Sequence, residues 1–171
     1  MKIIKLLCLI LLVNVVIQGC RSTSTTTRKP ADKTTAEMRF REDILTEAQK
    51  YKGTAYKYAG KSPKGFDCSG FTYYVFSKFD ISLSGSSSAQ SKQGKEITAS
   101  KAQAGDLLFF GRNGRNGKIQ HVGIVYRNDK DGLFMIHSSS KRGIVIDNVT
   151  TSTYWKPKLL YARTVVALQD K

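Results

Sequence analysis

Apolar and polar positions change their period once along the chain. Phe40, Ile44, Ala48 and Tyr51 recur at helical spacing until Gly53 stops them, which predicts an amphipathic first helix with order beginning near Glu37. Pro63 and Gly65 mark a loop, and Asp67 is a favourable N-cap directly before Cys68. Phe71, Val75 and Phe79 follow at spacing four, so the stripe of a second helix begins with Cys68 itself. A Ser/Gly-rich stretch over 82–88 leads into a short helical piece at 89–93. Beyond it the pattern is that of strands, at 105–111, 120–126, 133–137, 143–149 and 160–167. The intervening segment 112–118, with Asn-Gly twice, reads as a mobile cationic loop. Helices first and closely spaced strands later predict an α+β fold, with the helices packed on an antiparallel sheet of about five strands. No internal repeat is present.

The first twenty residues carry a different pattern. Lys2 and Lys5 precede an apolar stretch from Leu6 to Ile17, interrupted by Asn14, and Ile17-Gln18-Gly19-Cys20 closes it. This reads as an export signal over 1–19 and is similar to the lipobox of bacterial lipoproteins, in which the cysteine, here Cys20, is lipidated and becomes the new N-terminus. The competing reading, an uncleaved anchor, would need a longer apolar run. Arg21 follows the cysteine, and the absence of Asp there implies an outer-membrane address facing the periplasm. Residues 20–36 then form a Ser/Thr-rich tether without apolar periodicity. The expected organisation is a signal over 1–19, a lipidated tether over 20–36 and one domain over 37–171.

Charge changes meaning in that setting. The 171 residues hold 28 Lys+Arg against 13 Asp+Glu, a formal +15, which by itself suggests nucleic acid. An exported, lipid-anchored chain does not meet nucleic acid, so none is expected as a partner. The signal contains only two of the basic residues and no acid, leaving the mature chain at +13. Its natural partners in an envelope are anionic headgroups and wall-peptide carboxylates. Arg112, Arg115, Lys118, Lys141 and Arg142 fall in loops beside the strands that carry histidine. Three cysteines and two histidines exclude zinc ribbons and finger arrays, and no cofactor is implied.

Of the cysteines, Cys8 leaves with the signal and Cys20 is taken by lipid. Cys68 is then the one thiol of the mature body, at a helix N-terminus where unpaired N–H groups and the dipole favour a thiolate. A small buried hydrophobe is the competing role for such a residue. The two histidines open and close neighbouring strands, at His121 and His137. A hairpin centred at residue 129, inside the turn-like 127–132, would set them opposite one another on one face; unrelated strand-end histidines are the alternative. With Cys68 added, the set reads as nucleophile, base and base-orienting residue. Zinc is a further reading of the same three residues, set aside because they already have a complete role without metal.

These residues also carry a resemblance. Gly53 to Gly60, Asp67-Cys68-Ser69-Gly70-Phe71, Ala104 to Phe110, His121-Val122-Gly123-Ile124-Val125 and Met135-Ile136-His137-Ser138-Ser139 resemble the signature of NlpC-type cell-wall endopeptidases, from about residue 44 to 165. The resemblance implies a minimal papain-like fold, a monomeric catalytic domain, and hydrolysis of peptidoglycan stem peptides, often between γ-D-glutamate and the following diamino acid. It implies Cys68 as nucleophile, His121 as general base, His137 as the third polar residue and Tyr56 near the oxyanion site. Asp67 and Ser69 flank the nucleophile and could contact the stem peptide, although Asp67 serves equally well as a plain cap. The pattern departs from the family at Tyr58 and Ala59, and at Gly85-Ser86-Ser87, where an arginine is often found. Two rival classes fit the same residues: an amidase or γ-glutamyl hydrolase acting on soluble wall peptides, and a non-catalytic wall-binding lipoprotein.

Overall fold

The computed structural model describes residues 33–112 and 118–166. The signal, Cys20, the tether up to residue 32 and the loop residues 113–117, Arg115 among them, lie outside the described residues. Among the described residues no helix is long and apolar enough to cross a membrane.

Helix α1 covers Lys33–Gln49, four residues earlier than the apolar stripe indicated, so residues 33–36 are helical and not tether. Its buried positions are the expected ones: Ile44 and Ala48 are fully covered. A two-stranded hairpin, β1 (Lys61–Ser62) with β2 (Gly65–Phe66), follows. Helix α2, Cys68–Ser77, comes directly after it. The short helix α3 is Ser87–Gln90, starting two residues before the expected 89, because Ser86 caps it by accepting from the Ala89 N–H.

The remaining elements form one antiparallel sheet of six strands in the order β3-β8-β4-β5-β6-β7. They are β3 (Lys95–Ile97), β4 (Leu107–Gly111), β5 (Ile119–Asp129), β6 (Gly132–Ser139), β7 (Gly143–Asn148) and β8 (Leu159–Thr164). Five correspond to the expected strands. The sixth, β3, has three residues and too little pattern to be seen in sequence, yet it pairs with β8 through Lys95–Thr164, Glu96–Arg163 and Ile97–Ala162.

Each face of the sheet has its own core. Leu107, Phe109, Val122, Ile124, Ile136 and Ile144 pack with Ile44, Phe71, Val75 and Phe76 of α1 and α2. Leu108, Phe110, Val125, Leu133 and Met135 pack with Val149 and Ala162 on the other face, flanked by Trp155. Strand β4 lies between β8 and β5 and is buried at every position, which is why it reads as a continuous apolar run and not as an alternation. A buried ion pair fastens α1 to the sheet: Arg41 Nη1 lies 2.9 Å from Asp106 Oδ1 and 2.8 Å from the Ala104 carbonyl.

Candidate active site

The first turn of α2 is built to hold Cys68 at its start. Asp67 has extended backbone, and its carboxylate accepts from the Gly70 N–H at 2.6 Å, as an N-cap does. Ser69 donates to the same carboxylate at 3.0 Å and reaches the Gly85 carbonyl at 3.3 Å. Gly70 lets the helix press against the preceding hairpin, since a Cβ there would fall 1.9 Å from the Gly60 carbonyl oxygen. Fully buried Gln90 of α3 then ties the turn down, donating to the Ser69 carbonyl at 3.0 Å and accepting from Thr72 Oγ1 at 2.8 Å.

The two histidines come together by a different register from the expected one. The pairs Asp129–Gly132 and Asn128–Leu133 centre the β5–β6 turn one and a half residues later than 129. A bulge at Tyr126 then shifts the pairing by one, giving Val125–Met135 and Ile124–Ile136. His137 therefore faces Gly123, and His121 is diagonal to it. Without the bulge the two histidines would lie on opposite faces, because a one-residue slip exchanges faces. With it they share a face, and His121 Nε2 lies 3.0 Å from His137 Nδ1. Gly123 makes room for this: a Cβ at that position would meet Met135 Sδ at 2.9 Å and His137 Cβ at 3.2 Å.

Two residues that the sequence reading missed complete the cluster. On β7, Asp147 is diagonal to His137, which faces Val145. Its Oδ2 lies 3.0 Å from His137 Nε2 and accepts from Trp155 Nε1 at 3.0 Å and from Arg142 Nη2 at 2.6 Å, while Oδ1 accepts from Arg142 Nη1 at 3.1 Å. Trp155 stacks on the His121 ring, centroids 4.6 Å apart and planes 27° apart. Arg142 was singled out only as a loop cation; here it is bidentate on a carboxylate.

Cys68, His121, Tyr56, Asp147 and Trp155 line one open cavity of about 1040 Å³, with Arg112, Lys141, Arg142 and Lys158 also on its walls. His137 is wholly buried behind it. Asp67 and Ser69 are not among the lining residues: the Asp67 carboxylate is spent on the cap, and Ser69 is buried with its hydroxyl engaged. Among the described residues no group of three or more His, Cys, Asp or Glu is arranged to hold a metal ion.

The electrostatics correct a further expectation. Burial pushes the Cys68 thiol above its ordinary pKa, with Asp67 adding to the rise; the backbone N–H groups of Val122, Ser69 and Cys68 itself oppose this without overcoming it. The helix N-terminus does not, by itself, make a thiolate here. Burial and then His137 hold His121 well below the ordinary imidazole value, against a smaller pull from Asp147. Both shifts favour the uncharged forms, thiol and imidazole. Tyr56 is raised by burial and by the nearby Asp67, Cys68 and Tyr58, so its hydroxyl stays a hydrogen-bond donor. Asp147 is held well below the usual carboxylate range, first by its hydrogen bond with His137 and then by those from Arg142 and Trp155.

A helix-terminal cysteine and a sheet-borne histidine on one open cleft, in a small α+β domain, define the papain-like class. Within it the chain belongs to the NlpC/P60 family, whose profile matches residues 53–164. It is 38% identical over 125 residues to the gamma-DL-glutamyl hydrolase of Bacillus subtilis (strain 168), covering 72% of this chain and 30% of that protein. It is 34% identical over 125 residues to the murein DD-endopeptidase MepS/murein LD-carboxypeptidase of Escherichia coli (strain K12), covering 72% of this chain and 62% of that one. The crystal structure of an NlpC/P60 family protein from Bacillus cereus ATCC 10987 superposes with a TM-score of 0.68 at 30% identity, covering 74% of this chain and 40% of the other. This chain spans less than two thirds of the length of each of these proteins.

Proposed function

We propose that the protein is a peptidoglycan hydrolase, a cysteine endopeptidase that cleaves wall stem peptides with Cys68 as nucleophile. The observation that carries this is that Cys68 and His121 share one cleft, with His137 bonded to His121 behind it, in a chain of the NlpC/P60 family. His121 takes the Sγ proton as sulfur attacks the scissile carbonyl, and a carbon–sulfur bond forms. The oxyanion is stabilised by the Cys68 backbone N–H and the Tyr56 hydroxyl. His121 then passes its proton to the leaving amine as the carbon–nitrogen bond breaks. Water, deprotonated by the same imidazole, attacks the thioester; the acid departs and the thiol is restored. His137, buried behind the base, orients it.

The bond between γ-D-glutamate and the following diamino acid is the one we assign, supported by the resemblance of the motifs. The name of the Bacillus subtilis relative, gamma-DL-glutamyl hydrolase, favours as a second reading the same cut in soluble γ-glutamyl peptides. The lipobox-like segment ending at Cys20 supports a lipid-anchored enzyme in a bacterial envelope, at the outer membrane and facing the periplasm. Digestion of defined muropeptides and soluble γ-glutamyl peptides, followed by mass analysis, tests the assignment. Wild-type protein is expected to release products cut after γ-D-glutamate, and Cys68→Ala none, a loss on the order of 10⁶-fold. Turnover by Cys68→Ala would overturn the reading.

A further inference from the structure

The hydrogen-bond chain behind the cleft has only one consistent proton assignment when its members are neutral. An ionised carboxylate can only accept. Asp147 Oδ2 is 3.0 Å from His137 Nε2, so that nitrogen carries the hydrogen. A neutral imidazole has one N–H, so His137 Nδ1 is an acceptor. His121 Nε2, 3.0 Å away, must then be the donor. This leaves the lone pair of His121 on Nδ1.

A second proton on His137 would reverse the chain. Its Nδ1–H would donate to His121 Nε2, and neutral His121 would hold its hydrogen on Nδ1 and could take no proton from a thiol there. Asp147 sets an anion against the buried ring of His137. Arg142 counters it with two bonds to the carboxylate, and Trp155 adds a third donor. Other titratable or charged groups on the cavity walls are Cys68, Tyr56, Tyr154, Arg112, Lys141 and Lys158; of the cations, only Arg142 touches Asp147.

We propose that Asp147 and Arg142 are positioning residues: Asp147 sets the tautomer of His121 through His137, and Arg142 holds the Asp147 carboxylate in place, so that Nδ1 of His121 is the base. The catalytic consequence rests on the proposed roles of Cys68 and His121, whereas the proton assignment does not.

The chain has two histidines, so ¹⁵N-histidine labelling of the full-length protein resolves both rings by NMR. Both are expected to carry hydrogen on Nε2 at pH 7.5. Hydrogen on Nδ1 of His121 in the wild-type protein would overturn the proposal without any variant. In Arg142→Gln, His121 is expected to change tautomer and the acid limb of kcat to move up by about one pH unit with the high-pH plateau kept. Arg142→Lys should restore part of the shift. In Asp147→Asn, kcat should fall ~10²-fold at unchanged KM, less than the ~10⁴-fold of a carboxylate bonded directly to the base. Wild-type tautomers and acid limb in both variants would also overturn it. Alkylation of Cys68 by iodoacetamide, followed peptide by peptide in the mass spectrometer, should change its pH profile in the same direction. The tautomer and alkylation readouts stand even if no wall peptide is cleaved, so failure of the proton chain and failure of the hydrolase reading are separate results.

Discussion

His121 and His137 are bonded through their ring nitrogens at 3.0 Å although they are not cross-strand partners. Gly123 occupies the place opposite His137. The contact depends on a bulge at Tyr126 and on an empty side-chain position, so it is sensitive to volume. Gly123→Ala should displace the His137 ring, since the nearer obstacle, Met135 Sδ, can swing away but the His137 Cβ cannot. The expected result is a loss of kcat of about 10-fold or more with a thermal midpoint lowered by a few degrees. Wild-type kcat in a folded Gly123→Ala protein would contradict this.

The thiol should react late in pH. Because burial raises Cys68 and lowers His121, alkylation of Cys68 in the free protein should reach half its maximum rate above the ~8.5 of an exposed cysteine. A midpoint near pH 4–6, as for a cysteine paired with a protonated histidine, would contradict this.

Tyr56 keeps its proton across the working range. Tyr56→Phe should therefore remove an oxyanion donor without changing charge, lowering kcat by about 10²-fold at similar KM. Single-turnover acylation with a defined stem peptide is the measurement. An unchanged acylation rate would leave the backbone N–H groups as the donors.

Acid should unfold the domain in two stages. His121 is depressed in the folded state, so the unfolded chain binds more protons below about pH 6.5 and stability falls as pH drops through that value. Asp147 is depressed too; its contribution is whole above about pH 4 and is lost below it. Urea midpoints measured from pH 8 to 3 should show both losses. His121→Asn should flatten the first and Asp147→Asn the second.

Breaking the pair behind α1 should cost far more than breaking a surface pair. Asp106 is almost fully buried against Arg41, and removing one partner leaves the other charge uncompensated. Asp106→Asn is expected to destabilise by about 3 kcal/mol, moderated by the Glu37 contact with Arg41. Asp129→Asn, which loses only an exposed contact with Arg127, should leave the denaturation midpoint unchanged.

What the sequence made legible was local. Asp67 announces the start of α2, and the period of Phe71 and Val75 gives its buried face, so the placement of Cys68 follows from its neighbours. Of the five visible strands, β4, β5 and β6 each bury a run of residues. Non-local partners were not visible. Asp147 stands at the end of Ile144-Val145-Ile146 and reads as a strand terminus; its importance comes from Arg142, His137 and Trp155, joined only once β6, β7 and the segment after β7 are in place. The bulge at Tyr126 has no signature in the run Gly123-Ile124-Val125-Tyr126, yet it decides which face His121 occupies. The thiolate expected from the helix N-terminus failed for a similar reason, since desolvation depends on what covers Cys68.

Trp155 is the single tryptophan of the chain, and it lies flat on the His121 imidazole. An imidazolium accepts an electron from excited indole much more readily than a neutral ring does. The fluorescence of the unlabelled protein should therefore dim as His121 takes up a proton and brighten as it gives it away. The fold thus carries its own optical gauge of the proton on its candidate base, one that could follow a single turnover in stopped flow without a reporter substrate.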